Sequence, residues 1–152
     1  MNMNMKGEPI VILVVEDDPA HVEIIRRNFE GSRLSNRLIP LEDGQAALDY
    51  LYRKGNYNDA DKFPMPHLIL LDLRLPKVDG LEVLKTIKSD KMLNKIAVVI
   101  LTTSSAEADM AKAYEYHANS YLVKPVDFTQ FSKLMETFGY YWVAWNQYPH
   151  EA

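Results

Sequence analysis

Three segments of this chain, 10–15 (IVILVV), 68–71 (LILL) and 96–101 (IAVVIL), are apolar at every position. A strand with one wet face alternates apolar and polar residues, so a strand that never alternates must be covered on both faces. Two further β-rich stretches, 37–42 (RLIPLE) and 120–123 (SYLV), bring the count to five, and helix-like patterns separate them. Strict alternation of strand and helix implies parallel strands joined by crossovers. The expectation is an α/β fold, a doubly wound five-stranded parallel sheet. Pro40 lacks the N–H of an interior strand, which puts the second strand at an edge. The flavodoxin-like order 2-1-3-4-5 satisfies that.

Local signals punctuate the helices. Asp18 precedes Pro19 as an N-cap, with Val22, Ile25 and Phe29 on one face. Asp43 caps a helix carrying Ala47, Leu48 and Leu51, and Asp79 one carrying Val83, Leu84 and Ile87. Ser104 and Glu107 read as a capping box for a weakly apolar helix over 105–117. At 152 residues the chain has room for one domain. That reading gives a disordered lead at 1–8, a single domain at 9–148 with an extended last helix, and a tail at 149–152.

Composition removes several function classes. A net charge of −4 without a basic stripe argues against sequence-independent nucleic-acid binding. The absence of cysteine excludes disulfides, thiolate metal sites and cysteine nucleophiles, and is compatible with the cytoplasm. No apolar run approaches a membrane span. His21, His67, His117 and His150 share no ligand spacing and read as structural or surface residues. Gly44, Gly55 and Gly80 fall at turns, and no glycine-rich phosphate loop is present.

In parallel sheets of this kind, ligands bind beyond the carboxyl ends of the strands. The residues closing the strands are Glu16 and Asp17, Asp72, Thr102, and Lys124. Three carboxylates at one rim repel, and a hard divalent cation, Mg²⁺, is expected to resolve the repulsion. An acid beside such a cation can attack a phosphodonor and form an acyl phosphate, with the Lys124 ammonium and the Thr102 hydroxyl on the phosphoryl oxygens. The bond from Lys124 to Pro125, at a tight strand-to-helix turn, is a candidate cis peptide that aims the lysine inward.

With VVEDD at 14–18, LLDLRLPKVDG at 70–80, ILTTS at 100–104 and YLVKP at 121–125, all in order, the chain resembles the CheY-like receiver domains of two-component response regulators. The resemblance implies phosphorylation of Asp72 by a sensor histidine kinase. It also implies direct cation binding by Asp17, binding through water by Glu16, and a metal bond from the Arg74 backbone carbonyl. Its switch pair would be Thr102 and Tyr121, acting through the helix 4, strand 5 and helix 5 face. The output is then a shape rather than a turnover, and the protein is not an enzyme. An aspartyl-nucleophile phosphatase is the alternative, but it typically has a second Asp two residues on, where this chain has Arg74. A flavodoxin-like flavin carrier fits poorly with the acidic EDDPAH after strand 1. A phosphorylation-independent dimerisation scaffold is a further alternative.

Two segments depart from a minimal receiver. The 53–67 connection is long, either a tolerated surface insertion or a partner contact. The 127–148 stretch holds both tryptophans and half of the aromatic residues, with Phe131, Phe138, Trp142 and Trp145 on a helical stripe that Tyr141 widens. Such a face predicts a homodimer through strand 5 and the last helix, with Tyr121, Phe131, Phe138, Tyr141, Trp142 and Trp145 as contacts. The loop and the aromatic end together resemble stand-alone receivers that serve phytochrome-type histidine kinases. The chain ends after helix 5, so no DNA-binding or enzymatic output module is expected.

Overall fold

A computed structural model describes residues 9–30, 36–125, 129–130 and 132–137. In chain order these form β1 (Ile10–Val15), α1 (Pro19–Glu30), β2 (Asn36–Leu41), α2 (Gly44–Leu51), a 3-10 turn (Gly55–Tyr57), β3 (Leu68–Leu71), α3 (Gly80–Ser89), β4 (Ala97–Thr102), α4 (Glu107–Glu115) and β5 (Ser120–Val123). Residues 132–137 are again helical. All strand pairs are parallel, and the order is β2-β1-β3-β4-β5, as the sequence predicts. Pro40 lies on edge strand β2, in register with Val14.

The two-sided burial of the central strands follows from their period of two. Ile12, Val14, Leu68, Leu70, Val99 and Leu101 join Ile24, Ile25 and Phe29 of α1, with Met135, in one core. Their neighbours Leu13, Val15, Ile69, Leu71, Val98 and Ile100 join residues of α2, α3 and α4 in the other. Each of these strand residues is at most 2% exposed. β2 and β5, with a neighbour on one side only, are only partly buried.

The caps expected at Asp18, Asp43 and Asp79 are present, accepting from the backbone N–H of Ala20, Ala46 and Leu81 at 2.9, 2.7 and 3.4 Å. The capping box at Ser104 is not. α4 starts at Glu107 with Ala106 as an N-cap that makes no side-chain hydrogen bond. The Ser104 hydroxyl instead donates to the Asp109 carboxylate in the first turn of α4 and accepts from Ala106 N–H at 3.4 Å, so it holds the approach to the helix without capping it.

The connection after α2 is packed rather than loose. Tyr50, Tyr57 and Phe63 form an aromatic cluster with ring centroids 5.2–5.9 Å apart, Phe63 meeting both tyrosines edge to face. The Tyr50 hydroxyl donates to the Pro64 carbonyl at 2.7 Å, Arg53 to that of Phe63 at 3.1 Å, and Arg37 of β2 to that of Lys62 at 2.6 Å. Burial raises the Tyr50 phenol to about 12, so it stays a donor. The loop thus forms a small satellite core against the sheet. Of the predicted aromatic stripe, Phe131, Phe138, Tyr141, Trp142 and Trp145 lie outside the described residues. No helix among the described residues is long and apolar enough to cross a membrane.

Candidate functional site

Register brings the strand-end residues together. Val15 pairs with Leu71 and Leu71 with Ile100, so the chain leaves β1 and β3 side by side at Glu16 and Asp72. Thr102 pairs with Val123, which puts Lys124 one step past the end of β4. Backbone bonds extend the ladder into the site, with Asp72 N–H donating to Val15 O at 3.1 Å and Lys124 N–H to Thr102 O at 2.6 Å. Glu16, Asp72, Thr102 and Lys124 are the buried polar and charged residues among those described. Asp17 is exposed beside them.

Glu16, Asp17 and Asp72 each offer an oxygen within 4.8 Å of the others. The Lys124 ammonium, only 3% exposed, donates to Asp72 Oδ2 at 2.9 Å and to Glu16 Oε1 in a short contact. One ammonium does not balance three acids. Burial pushes the Glu16 carboxyl up to about 7; Lys124 opposes the rise and the Asp72 charge adds to it. A rim of hard oxygen donors that holds a proton this tightly is short of positive charge, and it suits a divalent cation such as Mg²⁺.

The expected cis bond at Pro125 is absent, since no cis peptide occurs among the described residues. The more favourable trans form suffices. Lys124 is turned inward by its backbone bond to Thr102 and by its buried acceptors.

The β3–α3 loop, 72–79, is clamped by two glycines that the sequence assigns merely to turns. A Cβ on Gly80 would lie 2.2 Å from the Asp72 carbonyl oxygen and 2.6 Å from Leu73 Cα. One on Gly44 would lie 1.9 Å from the Val78 carbonyl oxygen. The starts of α2 and α3 therefore press on the backbone that carries Asp72.

On the β4 and β5 side, the Thr102 hydroxyl accepts from Ser104 N–H at 3.4 Å, and the Tyr121 hydroxyl donates to the Ser104 carbonyl at 2.9 Å. Tyr121 is half-buried against the core that α4 helps to form, and burial raises its phenol. Asp109 of α4 accepts from both Ser104 and the Arg74 guanidinium. The Arg74 N–H donates to Asp72 Oδ1 at 3.2 Å. A continuous hydrogen-bonded path thus runs from Asp72 through Arg74 and Asp109 to Ser104 and Tyr121. Asp109 had no signal in the sequence. Its role depends on how α4 is placed, which no local pattern states.

His21, which the sequence reads as a structural or surface residue, also reaches the site. It stands in the first turn of α1, and its Nδ1 lies 3.1 Å from Lys124 Nζ and 3.8 Å from Glu16 Oε1. Burial and the adjacent ammonium hold its pKa below the usual histidine value, which favours the neutral ring. A signal was available: a helix starting three residues after an acidic strand end returns its first turn to the same rim.

Residues 12–136 match the response regulator receiver domain. The chain belongs to that family. Receivers are modules of phosphorylation-based signalling, and the five-stranded parallel sheet of order β2-β1-β3-β4-β5 is the fold of that family. Similar proteins include the probable methanogenesis regulatory protein FilR2 of Methanothrix harundinacea, 45% identical over 95% of this chain and 91% of that protein. Response regulator Rcp1 of Synechocystis sp. is 42% identical over 89% and 90%. The Mn²⁺-bound crystal structure of Rcp1 superposes with a TM-score of 0.88 at 40% identity, covering 93% of this chain and all of that one. The phosphorylated cyanobacterial phytochrome response regulator RcpA gives 0.88 at 36% identity, covering 94% and 100%.

Proposed function

We propose that Asp72 is the phosphoacceptor of this receiver. An Asp72 carboxylate oxygen attacks the phosphorus of a histidine kinase's phosphohistidine. The P–O bond forms as the P–N bond breaks, and the departing electron pair stays with the imidazole. Asp17, Asp72, the Arg74 carbonyl and, through water, Glu16 would hold a Mg²⁺ ion, which would supply charge neutralisation for the transferred group. Lys124 donates to a phosphoryl oxygen and Thr102 to another, which draws the Thr102 hydroxyl away from Ser104 N–H and frees Tyr121 to turn inward. The observation that carries this reading is the buried Lys124 ammonium shared between Asp72 and Glu16 at the acidic rim. The chain then works as a phosphorylated signal in the cytoplasm and not as a turnover enzyme.

Incubation with Mg²⁺ and acetyl phosphate, followed by intact mass measurement, tests the proposal. Wild type gains one acid-labile phosphoryl group and Asp72→Asn gains none. Equal gain by both chains refutes it.

The likeness to RcpA and Rcp1 supports a phytochrome-type histidine kinase as the donor. Its test is phosphotransfer from such a kinase, and no transfer under conditions where acetyl phosphate succeeds would reject it. The similarity to FilR2 then favours the second reading, a sensor kinase of a different input class. Self-association through β5 and the last helix is supported by the exposed apolar side chains Val123 of β5 and Tyr114 of α4, and by the aromatic stripe of the sequence. Sedimentation at micromolar concentration checks it, and a monomer rules it out.

A further inference from the structure

The buried Lys124 ammonium has three N–H bonds and three acceptors: Glu16 Oε1, Asp72 Oδ2 and His21 Nδ1. Two of them belong to the carboxylate cluster suited to a divalent cation. A cation bound there would compete with the lysine for Glu16 and Asp72 and weaken their hold on it. His21 is outside that cluster and carries no negative charge when neutral. It is the acceptor that Lys124 keeps.

The histidine is built for this task. An ammonium is only a donor, so Nδ1 must present its lone pair to Lys124 and the ring proton must sit on Nε2. Nε2 lies 3.5 Å from Asp18 Oδ2, and Asp18 is fixed in turn as the α1 cap, where its Oδ1 accepts from Ala20 N–H. The ring thus spans the ammonium on one side and a carboxylate on the other, in one tautomer.

We propose that His21 is a positioning residue that holds Lys124 over Asp72 when the carboxylates are engaged elsewhere. This rests on Asp72 being the phosphoacceptor. Phosphoryl transfer depends on where its charged groups stand, and a lysine released from one of three anchors spends less time in the productive place.

Two variants separate the acceptor from the bulk of the ring. His21→Leu removes the acceptor at similar volume, whereas His21→Asn puts an amide oxygen close to the Nδ1 position. With saturating Mg²⁺ and acetyl phosphate, the rate of Asp72 phosphorylation should fall at least about tenfold in His21→Leu and recover to within about twofold of wild type in His21→Asn, an effect of the size expected for one hydrogen bond to a charged group. Equal rates for His21→Leu and wild type overturn the proposal while leaving Asp72 as the acceptor. So does a His21→Asn variant as slow as His21→Leu.

A second readout needs neither cation nor donor. Imidazole ¹⁵N shifts of the metal-free protein at pH 7.5 should show His21 protonated at Nε2 only, and Lys124→Met should move the Nδ1 resonance. A proton on Nδ1, or an Nδ1 resonance indifferent to Lys124→Met, overturns the inference. If wild type gains no phosphoryl group at all, the phosphoacceptor reading fails instead, and this spectrum alone decides whether His21 anchors the lysine.

Discussion

Cation affinity should depend on pH through Glu16. Its carboxyl titrates near 7 because burial penalises the charged form more than Lys124 stabilises it. A cation must displace that proton, so the apparent dissociation constant scales as one plus the ratio of protonated to free carboxylate. With a pKa of about 7, that factor is roughly 11 at pH 6 and about 1.1 at pH 8, so Mg²⁺ should bind about tenfold more tightly at pH 8. The same titration affects stability with a definite sign. Between the ordinary value of 4.5 and about 7 the folded state binds more protons than the unfolded chain, so the metal-free protein loses stability as pH rises through that window. The loss is on the order of 3 kcal/mol, and Mg²⁺ should offset it. Isothermal titration calorimetry in buffers of different ionisation enthalpy measures both quantities: the change in affinity and about half a proton released per ion at pH 7. Glu16→Gln should flatten the profile. A wild-type affinity constant between pH 6 and 8, or a slope that survives in Glu16→Gln, would refute the reasoning.

Other perturbations have equally definite outcomes. Gly80→Ala gains up to about 1 kcal/mol of helix propensity but drives a methyl into the Asp72 carbonyl, so urea denaturation should show a net loss of about 2 kcal/mol or more. Unchanged stability would mean that α3 does not press on the site. Lys124→Met strips the counter-charge from buried Glu16 and Asp72 and should cost about 3–5 kcal/mol at pH 8, with much of it regained at pH 5 or on adding Mg²⁺. Thermal melts at the two pH values check the difference. Asp109→Ala releases Arg74, 59% exposed, and Ser104 together. An exposed ion pair of this kind contributes about 1 kcal/mol or less, so global stability should barely change while amide exchange over 103–106 accelerates.

The sheet was legible in the sequence because its evidence is redundant. Three uninterrupted apolar runs, one edge proline and three aspartate caps all indicate the same crossovers. Asp72 was legible for a related reason: a charge ending the apolar run 68–71 has to face a rim. What stayed hidden depends on distances between elements. Ser104 reads as a helix cap until Asp109 is placed where it captures the hydroxyl. His21 reads as a structural or surface residue with no tie to the rim until the first turn of α1 folds its ring against Lys124. The lysine does not need a cis proline to turn inward, because the acceptors awaiting it suffice, and those come from β1, β3 and α1. The 53–67 connection likewise reads as surplus length, although its aromatic residues complete a cluster with Tyr50 that only the folded chain assembles.

Borohydride traps an aspartyl phosphate by reducing it to homoserine, and peptide mapping then locates the reacted residue. After incubation with acetyl phosphate and Mg²⁺, homoserine should be found at position 72 and should require the cation. Homoserine at another acid, or none anywhere while the protein carries a phosphoryl group, would contradict the claim that Glu16, Asp17, Asp72 and Lys124 act as one phosphoryl-accepting centre.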